Sequence, residues 1–205
     1  MNDLDFAALL VSRVCHDLVS PVGAVVNGLE VLEDERDAAM RADALKLVAS
    51  SAEMAAARLQ FARIAYGAAG SAGAELDLNE VGRIVGGLVK GSKIEIEWRA
   101  ANVNWPKDWA KLLMNSTLLA ADSLPRGGRV KVETSADPAA PSFTVRAAGQ
   151  GARILEDSEK AVRGEPAWPL DGRSIQPYLT HKLARLLNAG LTVSCREGAI
   201  EFVAG

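Results

Sequence analysis

The sequence predicts a two-domain protein: an α-helical hairpin that pairs into a dimeric four-helix bundle, followed by an α+β sandwich. Two long apolar repeats, separated by a short polar segment at 33–37, indicate the hairpin. A run of small residues at 67–73 marks a change of pattern typical of a linker. Beyond it, segments that alternate apolar and polar residues are interspersed with helical segments, as in a sheet packed against helices. We therefore place the two domains at 1–70 and 71–205.

Composition limits the classes of function. The chain has 205 residues and a formal net charge of −3, so it lacks the basic surface that general nucleic-acid binding requires. No run of 18 uncharged apolar residues is present, which argues against a membrane span, and the acidic first residues do not resemble a secretion signal. Cys15 and Cys195 form no C-x-x-C pair, which indicates two free thiols and no zinc site. These features predict a cytoplasmic protein.

The first helix is predicted to run from residue 2 or 3, either of which can cap it, to about Glu33. Its apolar residues recur every three or four positions, as in a seam that packs against other helices. The predicted seam contains Val11, Val14, Leu18, Val22, Val25, Leu29 and Leu32.

His16 lies outside this seam. At about 100° per residue it is roughly 160° around the helix from Leu18, so we expect its ring to face solvent or a partner. Pro21 removes the hydrogen bond to the carbonyl of Asp17, and we expect it to bend the helix just after the histidine.

A second helix is predicted from about Ala38, capped by Asp37, to Tyr66, where Gly67 offers a stop. Its seam is rich in alanine, which lets helices approach closely, and contains Ala44, Val48, Ala52, Ala55, Leu59, Ala62 and Tyr66. A lone hairpin leaves one side of each helix uncovered. Pairing two hairpins into a four-helix bundle covers those sides, so we expect a homodimer.

The rest of the chain predicts about five strands with helices on one face. The predicted strands are 93–98, 129–133, 142–146, 191–194 and 199–203, and the predicted helices are 78–89, 108–123 and 174–187. Gly190 is the predicted stop of the last helix.

The candidate nucleophile is His16. A neutral imidazole nitrogen on an open helix face can attack an acyl phosphate and form a phosphoryl–nitrogen bond, although a single exposed histidine is more often an ordinary surface residue. The segment from His16 to Pro21 reads His-Asp-Leu-Val-Ser-Pro. It resembles the H-box of two-component histidine kinases, in which a histidine and an acidic residue precede a proline at this spacing.

The elements after residue 75 follow the order of the histidine-kinase ATP-binding domain, the GHKL or Bergerat fold. Three positions depart from that family. Leu119 stands where the metal-holding asparagine falls, and a leucine cannot ligate Mg²⁺. Ala147 replaces the aspartate that reads adenine. The segment 174–179 replaces the glycine-rich phosphate loop and contains Pro177, which has no N–H. The resemblance therefore implies a degenerate domain that no longer binds ATP, and no cofactor held by this chain.

Taken together, the hairpin and the degenerate domain are similar to the dimeric histidine phosphotransferases of the ChpT type. That resemblance implies a His–Asp phosphorelay. His16 would accept a phosphoryl group from the receiver domain of a hybrid histidine kinase and pass it to response-regulator receivers that control the cell cycle or development. Mg²⁺ is expected from the partner receiver domain. Asp17 is the expected helper, either through the other ring nitrogen or by carrying a proton; because neighbouring helical residues do not face each other, it could instead only tune the local charge.

Partner docking is predicted along the exposed face of the first helix, at Arg13, Ser20, Gly23 and Asn27. Small residues near His16 would admit a helix of the receiver. Two alternatives remain open: a divergent but active histidine kinase core, and a non-catalytic dimeric scaffold that binds receivers. Labelling by ATP alone would favour the first, and receiver binding without any label would favour the second.

Overall fold

The computed structural model describes residues 1–67, 73–166, 169–196 and 198–205. The linker predicted at 67–73 lies mostly outside the described residues. The elements in chain order are α1 (Asp3–Asp34), α2 (Ala38–Ala65), β1 (Glu75–Asp77), α3 (Leu78–Val89), β2 (Ile94–Arg99), β3 (Asn104–Pro106), α4 (Lys107–Asp122), β4 (Gly128–Thr134), β5 (Phe143–Ala148), α5 (Glu156–Val162), α6 (Ile175–Leu187), β6 (Thr192–Arg196) and β7 (Ala199–Ala204).

The first two helices form the predicted hairpin, and both predicted caps are present. The side chain of Asn2 accepts a hydrogen bond from the Asp5 N–H at 2.8 Å. Asp37 accepts from the main-chain N–H groups of the first turn of α2 at 3.0 Å. Gly28 of α1 packs against Val48 of α2, where an added Cβ would lie 2.6 Å from Val48 Cγ2. The helices therefore approach closely at this level.

The seam predicted for α1 is only partly correct. Pro21 and Gly28 are its buried residues, whereas Val11, Val22 and Leu29 are 62%, 50% and 48% exposed. The apolar surface of α1 is wider than the contact with α2, and periodicity alone does not show which part faces the partner helix. The uncovered part forms a stripe, here called the exposed apolar stripe, with a spacing of three or four residues: Leu4, Ala8, Val11, Cys15, Val19, Val22, Val26 and Leu29.

The seam predicted for α2 is also only partly correct. Ser51 is buried in place of the predicted Ala52, and Leu59 is 54% exposed. Arg58, at seam spacing, is half-buried.

Length and composition alone would allow α1 to cross a membrane, and it is the one described helix of which this is true. Helices that pack against other helices pass the same test, so this finding is weak evidence of a membrane-spanning helix. The absence of a membrane span stays a prediction.

Among the described residues, five strands form a sheet in the order β2-β4-β5-β7-β6. The β2–β4 pair is parallel and the other pairs are antiparallel. Val132, Val145 and Phe202 are fully buried on one face and pack in one core with side chains of α4 and α6. Cross-strand neighbours on the other face include Lys131 and Arg146, so that face is polar, as alternation in the sequence predicted.

Three features were not predicted. A two-stranded ladder joins β1 to β3, and α5 precedes the last helix. The last helix ends at Leu187 as predicted, but its C-terminal cap is Asn188, whose backbone has a φ of 51°, rather than Gly190. Asparagine tolerates this left-handed conformation better than most residues other than glycine.

The α/β region packs against the hairpin. Phe6 of α1 meets Tyr178 of α6 edge to face, with ring centroids 6.4 Å apart. Arg13 reaches the carbonyl of Gly172, in the segment before α6, at 3.4 Å. These contacts place the start of α6 beside the turn of α1 that carries His16.

Candidate functional site

The imidazole of His16 lies on the open surface of α1. Its side chain is 77% exposed, as expected from its position outside the seam. Nδ1 lies 3.2 Å from Oδ1 of Asp17, and Nε2 has no hydrogen bond to any residue that the structure describes. With the ring proton on Nδ1, the lone pair of Nε2 points into solvent, where a phosphoryl donor could approach.

The carboxylate of Asp17 bridges two partners. While Oδ1 faces His16, Oδ2 accepts a hydrogen bond from Nε of Arg13 at 2.9 Å, one helical turn earlier. The side chain of Asp17 is 27% exposed, so it lies between the open face and the interior. This geometry favours a role in orienting the imidazole over a purely electrostatic one.

Arg13 has different surroundings from those predicted for a docking residue. Its side chain is only 17% exposed and is engaged with Asp17 and with the carbonyl of Gly172. Burial by itself would lower the pKa of Arg13, but the charge of Asp17 and its hydrogen bond outweigh burial, and the pKa is raised. Arg13 therefore acts inside the chain, as a link between α1 and the segment before α6.

The main chain of Asp17 has a further partner on α2. The guanidinium of Arg58 donates a hydrogen bond to the carbonyl oxygen of Asp17. Sequence reasoning did not single out Arg58, although a charged residue at seam spacing in an alanine-rich helix was an available signal.

A cavity of about 190 Å³ lies beneath this turn, between the hairpin and the α/β region. Five titratable residues of its lining are here called the cleft cluster: Arg13, Asp17, Arg58, Tyr66 and Asp122. By surface area Asp122 is exposed, but the atoms packed around its carboxyl still raise its pKa to about 6. Burial is the largest cause, and the charge of Asp17 adds to it while the two arginines oppose it. Burial likewise raises the pKa of Tyr66.

A second cavity, of about 280 Å³, opens beside His16, and its lining includes Arg173 and Leu119. Its lining also includes Pro177, so two of the positions at which the sequence departs from the kinase motifs contribute to it. Leu119 is 3% exposed and Ala147 is fully buried, so neither position offers an oxygen to a metal or a base.

Asn115 of α4, one turn before Leu119, is fully buried, and its side chain forms hydrogen bonds within the chain. Its Nδ2 donates to the carbonyl of Lys111 at 2.9 Å, and its Oδ1 accepts from Nε2 of Gln176 at 3.0 Å. The side chain of Asn115 is therefore engaged within the chain and is not presented to a ligand. No cluster of three or more metal-binding side chains occurs among the described residues.

The other predicted docking residues share the exposed side of α1 with His16. Ser20 and Asn27 are exposed, and a Cβ added at Gly23 would meet nothing within 4 Å. With spacings of three or four residues, His16, Ser20, Gly23 and Asn27 follow one face of the helix. The structure thus groups these four residues and turns Arg13 and Asp17 towards the cleft.

Comparison with known proteins defines the class. The family model of the histidine phosphotransferase C-terminal domain matches residues 78–199, and the chain belongs to the histidine phosphotransferase family. It is 40% identical over 204 residues to the protein phosphotransferase ChpT of Brucella abortus (strain 2308). The alignment covers 99% of this chain and 95% of the relative.

A solved structure of a bacterial phosphotransferase, determined at 1.7 Å, aligns with a TM-score of 0.90 and 37% identity, covering 100% of this chain and 98% of that one. These findings confirm the predicted family, the hairpin followed by an α/β domain, and the phosphotransferase activity.

Proposed function

We propose that this phosphotransferase works in a multistep His–Asp phosphorelay and carries the phosphoryl group on Nε2 of His16. The observation that supports this most is the pairing of an exposed imidazole with a carboxylate that engages its other nitrogen. That arrangement leaves Nε2 as an open nucleophile.

The reaction proceeds in two transfers. Nε2 of His16 attacks the phosphorus of a receiver's aspartyl phosphate in line, the bond from phosphorus to the aspartate oxygen breaks, and the receiver's carboxylate leaves. The phosphorylated ring gains positive charge, which the carboxylate of Asp17 stabilises through Nδ1–H. A second receiver's aspartate then attacks the same phosphorus and frees the histidine. Mg²⁺ comes with the receiver domain, since this chain is not expected to hold it.

The donor we propose is the receiver domain of a hybrid histidine kinase, and the acceptors are response-regulator receivers. Docking takes place over Ser20, Gly23 and Asn27, where the side chains are short and the surface is open. Gly23→Trp should raise the receiver concentration that gives half-maximal transfer. Ala139→Trp, an equally large change at an exposed turn of the α/β region, should leave it unchanged.

The protein acts as a cytoplasmic homodimer in this proposal. The exposed apolar stripe covers most of the length of α1 and has the spacing of a helix–helix interface. Two hairpins that pair through it form a four-helix bundle and leave His16 exposed on the adjoining face.

The test uses a receiver domain phosphorylated with labelled phosphate. Label should pass to the wild-type protein and should be absent from His16→Ala, while His181→Ala, which changes the other histidine of the chain, should accept label normally. Label on His16→Ala would exclude His16 as the acceptor.

Incubation with labelled ATP should give no label, because Leu119 and Ala147 offer no oxygen at the positions where the kinase family holds Mg²⁺ and adenine. Clear self-labelling would instead favour an active kinase core, and receiver binding without any transfer would favour a scaffold.

A further inference from the structure

The turn of α1 that carries His16 lacks one main-chain hydrogen bond. In an α-helix the carbonyl of residue 17 accepts a hydrogen bond from the N–H of residue 21. Pro21 has no N–H, yet α1 continues through it without interruption. The carbonyl of Asp17 is therefore free to accept a donor from elsewhere, and Arg58 of α2 supplies one.

We propose that Arg58 is a positioning residue for the phosphoacceptor: its guanidinium replaces the donor that Pro21 lacks and fixes the turn that carries Asp17 and His16. This inference rests on the proposed role of His16. It assigns to α2, the second helix of the hairpin, a direct part in setting the geometry of the reactive imidazole.

Asp17 is held at three points. Arg58 holds its main-chain carbonyl, Arg13 holds Oδ2 at 2.9 Å, and Oδ1 faces Nδ1 of His16 at 3.2 Å. The bond from Arg13 restrains the carboxylate itself, and the bond from Arg58 restrains the main chain that carries it. Consecutive helical side chains do not normally face each other, so the contact between Asp17 and His16 depends on such restraints.

The location of Arg58 also favours this role over that of an ordinary surface arginine. Its side chain is half-buried and lines the 190 Å³ cavity beneath the turn. There the positive charges of Arg13 and Arg58 face the carboxylates of Asp17 and Asp122. A planar guanidinium has several donors in fixed directions, so it can hold a carbonyl while it remains within this charged cluster.

The experiment compares Arg58→Met, Pro21→Ala and the double variant Pro21→Ala/Arg58→Met in single-turnover transfer from a labelled phospho-receiver. Arg58→Met should slow transfer by about 10-fold or more, because small displacements of a reacting group have large effects on rate. In the double variant the N–H of residue 21 can donate to the Asp17 carbonyl, so transfer should return to within about threefold of wild type. Arg63→Met, a change at an exposed arginine of the same helix, is the matched control and should have no effect.

A second readout does not depend on transfer. Side-chain ¹⁵N NMR of His16 should show one dominant tautomer, protonated on Nδ1, in the wild-type protein and in the double variant. Arg58→Met should shift the signals towards a mixture of tautomers. Circular dichroism establishes that each variant is folded. If Arg58→Met does not fold, the transfer rates of Pro21→Ala and the double variant are compared with each other. The two rates should then be similar, because the N–H of residue 21 holds the Asp17 carbonyl in both variants.

Two results would overturn the inference: transfer by Arg58→Met at the wild-type rate, or a double variant that folds but does not recover. Failure of the proposed function is a distinct outcome, since the wild-type protein itself would then take no label.

Discussion

Oδ1 of Asp17 lies 3.2 Å from Nδ1 of His16, although the two residues are neighbours on one helix. The other carboxylate oxygen, Oδ2, is held by the ion pair with Arg13 at 2.9 Å, and this leaves Oδ1 to contact the exposed ring. A carboxylate in this place selects the tautomer with the proton on Nδ1 and directs Nε2 to solvent.

Replacement of this carboxylate should slow the chemistry more than the binding of receivers. Asp17→Asn removes the ion pair with Arg13 and also the negative charge that, in the proposed mechanism, stabilises the phosphorylated ring. We therefore expect the rate constant of transfer to fall by about 10²-fold. Single-turnover transfer over a range of receiver concentrations separates the rate constant from the affinity. Asp43→Asn, an exposed change on α2, controls for the loss of a charge. A wild-type rate constant in Asp17→Asn would remove the carboxylate from the mechanism.

Two glycines of α1 should respond oppositely to alanine. Gly23 faces open space, so Gly23→Ala should raise the free energy of unfolding by about 0.5–1 kcal/mol, the usual gain when alanine replaces glycine within a helix. At Gly28 the new Cβ would lie 2.6 Å from Val48 Cγ2, so Gly28→Ala should destabilise the hairpin by about 1–3 kcal/mol. Denaturant unfolding at equal protein concentration measures both. Equal effects would show that the helices are not this close at Gly28.

A charge in the exposed apolar stripe should prevent formation of the proposed homodimer. Val22→Glu places a carboxylate at the centre of the proposed interface, where its desolvation opposes pairing. We expect the mass measured by sedimentation equilibrium to fall from that of a dimer to that of a monomer. Leu186→Glu, at a 70% exposed position on α6, should leave the dimer intact. A Val22→Glu variant that stays dimeric would place the interface elsewhere.

The carboxyl of Asp122 should make stability depend on pH. Its pKa is raised from 3.8 to about 6, above all because the atoms packed around the carboxyl desolvate it, although the residue is exposed by surface area. Because the folded state holds this proton more tightly than the unfolded state, the associated stabilisation is complete below the unfolded pKa and is lost as the pH rises through about 6.

Asp122→Asn removes this titration while Arg13, Asp17, Arg58 and Tyr66 remain around the site. The melting temperature of Asp122→Asn relative to wild type should therefore increase from about pH 4 to about pH 7. A difference that does not vary over this range would contradict the raised pKa.

Local signals in the sequence were sufficient for the hairpin caps at Asn2 and Asp37 and for the strands of the large sheet. They were also sufficient for the exposure of His16, which lies roughly 160° around the helix from the partly buried Leu18. They could not show which part of the apolar surface of α1 faces α2, since Val11 and Val14 fit one repeat equally well and only one of them turns inward.

The contacts of the cleft cluster could not be predicted from local sequence patterns, for a different reason. Arg58 and Asp122 lie on α2 and α4, far along the chain from Asp17, and only the antiparallel hairpin and the packing of the α/β region bring them together. Arg13 was predicted to bind a partner together with Ser20, Gly23 and Asn27. In the structure its helical position turns it into the cleft instead.

The central claim is that Nε2 of His16 carries the phosphoryl group. The most direct measurement is ³¹P and ¹⁵N NMR of the ¹⁵N-labelled protein after transfer from a phosphorylated receiver domain. The expected result is one phosphoryl group bonded to Nε2 of His16, with the proton retained on Nδ1. A phosphoryl group on Nδ1, or on any other residue, would contradict it.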